Sequence, residues 1–159
     1  ALFKHWFIDF EFPNEKGKPY KSSDGKMIDS ELGEIPNGWD IKLIKELGKV
    51  VCGKTPYTSD KDNFGVDYPF ITIPDMHGKS FIVKTERKLS KVGADTQKKK
   101  ELPPLSVCVS CIATTGLVSL TTEPSYTNQQ INSIICNKNV SPYFMYLQMK
   151  NKEEEINIG

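Results

Sequence analysis

The chain has 159 residues, of which 26% are charged and 38% hydrophobic, and its formal net charge is +1. This length suits one ordinary domain with an appendage and allows a buried core. The near-neutral balance excludes whole-chain charge as an argument for or against a nucleic-acid partner. The sequence contains no apolar run of membrane-spanning length and no signal-peptide pattern at its start. It therefore predicts a soluble, cytoplasmic protein.

An aromatic stripe opens the chain. Leu2 and four aromatic side chains recur at the spacing of one helical face, namely Phe3, Trp6, Phe7 and Phe10. Pro13 disfavours helical geometry at Phe12 and so ends the helix. Since the stripe begins without a cap, residues 1–12 are predicted to be the end of a longer coiled-coil-type helix with a partner helix. A helix packed on its own domain is the alternative.

Residues 13–38 contain few apolar side chains before Met27 and cannot bury enough surface to form a core. We therefore predict a linker there, followed by a domain over residues 39–159. Its opening residues Trp39, Ile41 and Leu43 alternate like a strand, and 44–47 are predicted to form a short helical turn.

A strand is predicted at 49–52, followed by Gly53-Lys54-Thr55. With Gly48, these residues match the spacing of a phosphate-binding loop. The β-branched pair Val50-Val51 and the proline after Thr55 favour a strand at a place where such a loop needs a glycine-rich nest. Nucleotide binding is therefore not expected.

A further strand is predicted over 68–74, and a turn at 75–78 leads to another strand over 81–84. Asp75 and His77 have no third ligand or nucleophile near them in sequence, so a surface turn is predicted rather than a reactive site. Residues 79–100 then hold eight basic side chains against two acidic ones, a formal excess of +6. A solvated helix face is the ordinary explanation, and contacts with DNA phosphates are the functional one.

Three β-rich runs, 106–113, 117–121 and 131–136, are predicted to form the middle of the sheet. The connection over 123–130 is rich in amides and hydroxyls and is predicted to display them, without a nucleophile and base, which favours recognition over catalysis. Pro142 is placed to start a helix. The predicted fold class is α+β, a mixed and mainly antiparallel sheet with a few helices, preceded by the end of a long helix.

The four cysteines, Cys52, Cys108, Cys111 and Cys136, lie in or beside apolar runs. They are predicted to be small buried side chains in a reducing compartment. Cys108 and Cys111 form a Cys-x-x-Cys pattern, but an odd offset along a strand places two side chains on opposite faces. With both histidines far away in sequence, no metal site is predicted.

Segments throughout the chain carry a family resemblance. The first group is Leu2-Phe3-Lys4-His5-Trp6-Phe7-Ile8-Asp9-Phe10-Glu11-Phe12-Pro13 with residues 17–23 and 29–39. It closely resembles the junction between the central conserved helix and the second target-recognition domain in specificity subunits of type I restriction-modification enzymes. The remainder resembles such a domain, in Gly53-Lys54-Thr55-Pro56, Pro69-Phe70-Ile71-Thr72, Asp75, Leu102-Pro103, residues 107–110, Gly116 and Thr127-Asn128-Gln129-Gln130.

The resemblance implies a non-catalytic reader of double-stranded DNA with no cofactor of its own. Such subunits hold two recognition domains apart with a pair of long helices, and each domain reads one half of a bipartite target. They recruit modification subunits, which bind S-adenosylmethionine and methylate adenine, and restriction subunits, which use ATP. Because the family's domain continues into closing strands and a second long helix, the domain here is expected to be C-terminally incomplete.

Phosphate contacts fix register, whereas contacts with base edges carry sequence information. The residues expected to meet phosphates are Lys79, Lys84, Lys88, Lys98, Lys99 and Lys100. Those expected in loops near bases are Lys54, Tyr57, Thr58, His77 and Thr114. Asn128 and Gln129 either brace the fold or touch DNA.

Two other function classes remain open from the sequence. One is a recognition domain fused to a DNA methyltransferase, which requires a glycine-rich cofactor motif outside this sequence. The other is a protein-interaction module whose aromatic helix docks a partner. DNA binding that is weak and unaffected by salt would favour the interaction module.

Overall fold

The computed structural model describes residues 2–111 and 116–152, and the chain divides into a first unit, residues 1–43, and a second unit, residues 44–159. The first unit contains helix α1 (Leu2–Phe7), a 3-10 turn (Lys21–Ser23) and an antiparallel pair of short strands, β1 (Met27–Ile28) and β2 (Ile35–Pro36). Helix α1 ends earlier than the predicted position at residue 12. Phe10 has a φ of 59°, in the left-handed region, so it lies outside the helix that carries Phe3, Trp6 and Phe7.

Aromatic rings organise the first unit. The ring of Trp39 lies 6.1 Å from Phe7, 5.6 Å from Phe10 and 5.5 Å from Phe12, and Phe12 stacks on Tyr20 at 4.6 Å. The strand predicted from Trp39 to Leu43 is therefore wrong, because Trp39 packs among rings and residues 39–43 lie in no strand.

The segment predicted to be a linker, 13–38, has internal structure. The hydroxyl of Tyr20 donates a hydrogen bond to the Lys26 carbonyl at 2.8 Å, and Asn37 N–H donates to the same carbonyl at 2.8 Å. Sequence reasoning overlooked this order because the segment is held by local hydrogen bonds and ring stacking rather than by an apolar core of its own.

The second unit has eight strands and four helices within its described residues. The strands are β3 (Gly48–Cys52), β4 (Phe64–Ile71), β5 (Phe81–Ile82), β6 (Arg87–Leu89), β7 (Val107–Ser110), β8 (Val118–Thr121), β9 (Tyr126–Thr127) and β10 (Ile131–Cys136). The helices are α2 (Ile44–Leu47), α3 (Ile73–Met76), α4 (Lys91–Asp95) and α5 (Pro142–Asn151), with 3-10 turns at Lys61–Asn63 and Lys98–Lys100.

Two sheets form the second unit. The first has the order β3-β10-β7-β8-β5, antiparallel except for the β5–β8 pair, and the second has the order β6-β4-β9. In the second sheet, β4 pairs antiparallel with β6 and parallel with β9. The fold class is therefore α+β with mixed, mainly antiparallel sheets, as predicted. Strand β7 occupies the centre of the larger sheet with β10 and β8 on either side, which confirms the central place of the three β-rich runs, although residues 112 and 113 of the first run lie outside the described residues.

Both faces of the larger sheet are buried, because successive apolar side chains of a strand point to opposite faces. Cys108 and Ile131 belong to one buried cluster with Val51, Ile71 and Leu102, whereas Val107, Val109 and Ile134 belong to a second with Met145 of α5. Helix α5 starts where predicted, with the Ser141 hydroxyl accepting from Phe144 N–H at its N-terminus and Pro142 in the first turn. A third cluster joins Phe70, Leu89, Ala94 and Tyr126 in the smaller sheet.

The connection over 123–130 displays only part of its polar groups, among them Glu123 and Gln129. Ser125, Tyr126, Thr127 and Asn128 are buried, because β9 pairs with β4 and Leu102 bridges to Ser125. The Tyr126 hydroxyl donates to the Glu101 carboxylate at 3.0 Å. Burial and this hydrogen bond raise the pKa of Tyr126. The middle of a segment predicted to be a polar surface loop, residues 125–128, is therefore part of the core.

The cysteines are free thiols with different environments. Cys108 is buried, and burial raises the pKa of its thiol to about 11. Cys136 is partly buried, but Cys52 and Cys111 are exposed, so the prediction of four buried cysteines is wrong for these two. Cys52 is the last residue of β3 and Cys111 follows β7, so apolar neighbours in sequence do not ensure burial at these strand ends.

Asp75 also departs from the surface turn that was predicted. Its carboxylate is buried and accepts hydrogen bonds from Thr72 N–H, the Thr72 hydroxyl and Glu86 N–H, at 2.8, 2.8 and 2.9 Å. Thr72 and Asp75 form a capping box at the start of α3. Asp75 is thus a structural carboxylate that ties α3 to the segment before β6.

Candidate nucleic-acid interface

The register of the larger sheet places the end of β3, the end of β7 and the start of β10 side by side, at one end of the sheet. Cys52 at the end of β3 pairs with Asn132 near the start of β10, and Ser110 at the end of β7 pairs with Ile131. The parallel pairing of β5 with β8 places residues 77–80 at the same end. We call this surface the loop edge, comprising residues 53–60, 77–80, 111, 116–117 and 128–130.

The backbone of the first of these loops is anchored to the sheet. Gly53 N–H donates to the Ile131 carbonyl at 3.0 Å, and Lys54 N–H donates to the Thr127 carbonyl at 2.9 Å. A Cβ at Gly53 would lie 2.0 Å from the Asn128 carbonyl oxygen, so the close approach of the two backbones requires glycine. Lys54, Tyr57 and Thr58 then project from a loop with a fixed base.

Asn128 and Gln129 occupy different environments. Asn128 is buried, its Oδ1 accepts from Gln130 N–H at 3.1 Å, and its Nδ2 donates to Gln130 Oε1 at 3.0 Å. Gln129 is exposed, and its Oε1 accepts from the Thr55 hydroxyl at 2.7 Å. Asn128 therefore braces the turn into β10, while Gln129 links two loops at the surface.

Two further residues predicted to contact DNA lie at the loop edge. His77 and Lys79 are exposed on the turn after α3, and the Lys79 carbonyl accepts from the Ser119 hydroxyl at 2.6 Å. This bond fixes the turn to the start of β8. Thr114 lies outside the described residues.

A shallow depression of about 330 Å³ opens between the first loop and the smaller sheet. It is lined by Thr58, Lys61, Phe64, Gly65, Glu86, Arg87 and Lys88. Three cationic side chains against one carboxylate give its lining a formal charge of +2. The depression thus brings Thr58 and Lys88, predicted for bases and phosphates respectively, to one place.

Lys61 and Arg87 belong to this depression but were not among the predicted contact residues. The guanidinium carbon of Arg87 lies 4.1 Å from the centroid of the Phe64 ring and 5.8 Å from that of Phe70. The sequence signal was present, since Arg87 is the sole arginine in the basic run over 79–100. Its platform could not be foreseen because Phe64 comes from an earlier strand.

The other predicted phosphate contacts are dispersed. Lys79 precedes β5 and Lys84 follows it, so they lie toward opposite ends of that strand. Lys98, Lys99 and Lys100 form the 3-10 turn between α4 and β7 and line neither the depression nor the loop edge. The structure therefore divides the basic run into separate groups.

The described residues offer little for metal chemistry. They contain no cluster of three or more His, Cys, Asp or Glu side chains arranged to hold a metal ion. Within 2–111 and 116–152, no helix is long and apolar enough to cross a membrane.

Residues 36–158 match the family described as type I restriction modification DNA specificity domain. The chain is 54% identical to the type I restriction enzyme HindI specificity subunit of Haemophilus influenzae, over 94% of this chain and 43% of that protein. It is 30% identical to the type I restriction enzyme MjaIX specificity subunit of Methanocaldococcus jannaschii, over 78% of this chain and 29% of that protein. The chain thus spans less than half of the length of either relative.

Similarity also extends to solved structures. The crystal structure of the HsdS subunit from Thermoanaerobacter tengcongensis superposes with a TM-score of 0.65 at 14% identity, covering 80% of this chain and 31% of that one. At this identity the likeness concerns the fold alone.

Proposed function

The chain belongs to the family of type I restriction-modification DNA specificity domains, and from this premise we propose that it reads one half of a bipartite DNA target without catalysing a reaction itself. Chemistry is left to other subunits, so the chain needs no cofactor of its own. The observation that carries the proposal is the loop edge, where the strand register gathers exposed polar and cationic side chains from separate loops.

The physical basis is the division of labour between base and phosphate contacts. Lys54, Tyr57 and His77 are exposed at one edge of a rigid sheet, which suits loops that enter a groove and meet base edges. Lys79 and Lys88 are placed near these loops and supply positive charge for phosphates. Lys84 and Lys98 to Lys100 are proposed as more distant phosphate contacts.

We also propose that the protein assembles with modification and restriction subunits of a type I complex. The aromatic residues Phe3, Trp6 and Phe7 of α1 are the proposed contacts with a partner helix, and Phe10 contributes from the turn after α1. The support is the name shared by the relatives, both of which are specificity subunits of type I restriction enzymes.

The test is selection of bound duplexes from a random library by the full chain, at low and moderate salt. We expect a short consensus whose affinity falls steeply as salt rises, because each phosphate contact releases counterions. A Tyr57→Ala variant should select a degenerate base at one or more positions of that consensus. Recovery of no consensus at either salt concentration would contradict the proposal.

A further inference from the structure

We propose that the depression lined by Arg87 binds one backbone phosphate of the DNA. This phosphate thereby sets the position along the duplex at which Tyr57, in the neighbouring loop 53–60, meets the bases. This inference rests on the proposed function, because it assigns a role within the same interface. It makes Arg87 a positioning residue for recognition rather than a reader of sequence.

Stacking prepares Arg87 for an anion. Its guanidinium carbon lies 4.1 Å above the Phe64 ring, and no carboxylate among the described residues lies within ion-pair distance of it. An aromatic platform restricts the guanidinium plane before binding, so less side-chain entropy is lost when its N–H groups donate to phosphate oxygens. Phe64 and Phe70 also pack edge to face, 6.2 Å apart, which stabilises the platform itself.

The neighbouring groups favour the same ligand. Lys61 and Lys88 line the depression together with Arg87, and Thr58 brings a hydroxyl. Glu86 is the single carboxylate of the lining, and its backbone N–H is already used by Asp75. The balance is cationic, and the donors outnumber the acceptors, as an anion requires.

Concave shape selects phosphate over base. In duplex DNA the phosphates project outward, whereas base edges lie at the floor of the grooves and are reached by convex parts of a protein. A depression with cationic walls therefore accepts a phosphate. The Tyr57 side chain is 85% exposed and precedes Thr58, so the same loop supplies one convex and one concave contact.

The backbone between Tyr57 and the residues that line the depression is short and restrained by hydrogen bonds. A phosphate bound in the depression therefore fixes the position of Tyr57 along the DNA. Asn63 Nδ2 donates to the Tyr57 carbonyl at 3.1 Å, and Asp60 N–H donates to the same carbonyl at 3.3 Å. A phosphate held by Arg87 consequently places Tyr57 at a defined distance along the duplex.

The experiment compares the unaltered full chain with Arg87→Gln, Glu86→Gln and Lys138→Gln on a duplex of the selected consensus. Arg87→Gln is expected to weaken binding about 10- to 100-fold, the loss of a charge-assisted contact, and to lower the salt slope by about one without changing the consensus. Glu86→Gln, which removes repulsion, is expected to tighten binding about two- to five-fold. Lys138→Gln is the control, because it removes the same charge as Arg87→Gln. Lys138 follows β10 at the end of the sheet opposite the loop edge, so this variant should leave DNA affinity unchanged.

Single methylphosphonate substitutions in the same duplex locate the contact. Neutralising one particular phosphate should weaken binding by the unaltered chain but have no further effect on Arg87→Gln, since both changes remove the same interaction. Far-ultraviolet circular dichroism checks that Arg87→Gln is folded. Tighter DNA binding by Glu86→Gln needs no such check, because an unfolded variant would not bind more tightly.

The outcomes separate the two proposals. If the unaltered chain selects no consensus, the proposed function fails and this inference falls with it. If the unaltered chain selects a consensus but Arg87→Gln changes a base preference, the phosphate assignment alone is overturned. The same conclusion holds if Arg87→Gln is as sensitive as the unaltered chain to the neutralisation of every phosphate.

Discussion

The two units of the chain use aromatic and aliphatic side chains differently. Among the described residues of the first unit, Pro36 alone is buried, and the rings around Trp39 remain partly exposed. The second unit buries three clusters, two on the faces of the larger sheet and one that joins the smaller sheet to α4. The loop edge therefore belongs to the unit that has its own core, because a packed sheet holds the ends of its loops in fixed positions.

The largest effect is expected from truncating the core of the second unit. Ile131→Ala should lower the free energy of unfolding by about 2–5 kcal/mol, because Ile131 is 0% exposed in a central strand and the cavity cannot collapse fully. Denaturant titration followed by circular dichroism measures it. Val66→Ala, at a residue 81% exposed, is the matched control and should cost less than about 0.5 kcal/mol. Equal losses in the two variants would remove the contrast between core and surface.

Leu32→Ala extends this comparison to the first unit. Leu32 is 78% exposed, so its truncation should change the same unfolding transition by less than about 0.5 kcal/mol. A loss comparable with that of Ile131→Ala would show that the first unit has a core that its side-chain exposure does not reveal.

Where the loop edge meets the core, a substitution should lower the free energy of unfolding by less than Ile131→Ala does. Gly53→Ala should cost about 1–3 kcal/mol, because its Cβ would collide with the carbonyl oxygen of Asn128. Gly33→Ala, outside the loop edge, is the control, since its Cβ would meet nothing within 4 Å and only the positive-φ backbone, with a φ of +98°, opposes it. We expect Gly53→Ala also to weaken DNA binding through a displaced Lys54 loop, which a gel-shift titration measures. Unchanged DNA affinity would show that the loop tolerates the displacement.

Alkaline pH should destabilise the second unit through Tyr126. Its pKa is raised in the fold, so its contribution is complete below the ordinary tyrosine pKa of about 10 and is lost as the pH rises above that value. Tyr126→Phe removes the hydrogen bond to Glu101 and should cost about 1 kcal/mol at pH 8 while losing part of the alkaline dependence. Unfolding free energies at about pH 8 and pH 11 measure both effects. An unchanged alkaline slope in Tyr126→Phe would assign that dependence to other groups.

The smallest effect concerns a local contact of the first unit. Glu11 accepts from the Ser22 hydroxyl at 2.6 Å and from Ser22 N–H at 3.1 Å, and these bonds lower the pKa of its carboxyl. The stabilisation is present above the ordinary carboxyl pKa and disappears as the pH falls through the lowered value. Carbon NMR titration should find the pKa of Glu11 shifted upward in Ser22→Ala and unchanged in Ser23→Ala. A pKa that does not move in Ser22→Ala would show that the hydroxyl is not the cause.

Local sequence determined much of this protein. β-rich composition was sufficient to predict β7, β8 and β10, because each strand is one continuous run of such residues. Ser141-Pro142 marked the start of α5 by its local capping chemistry. Junction and domain motifs together were sufficient for the family. Each of these signals lies within a few residues of the feature that it predicts.

Which residues share a surface depends on contacts between distant segments of the chain. The burial of Tyr126 depends on the parallel pairing of β9 with β4, and the platform under Arg87 depends on Phe64, more than twenty residues earlier in the chain. Likewise, Trp39 lies outside any strand and packs against the rings of Phe7 in α1 and Phe10 in the turn that follows α1. Such contacts join residues distant in sequence, and their energies depend on strand order and register, which no local period encodes.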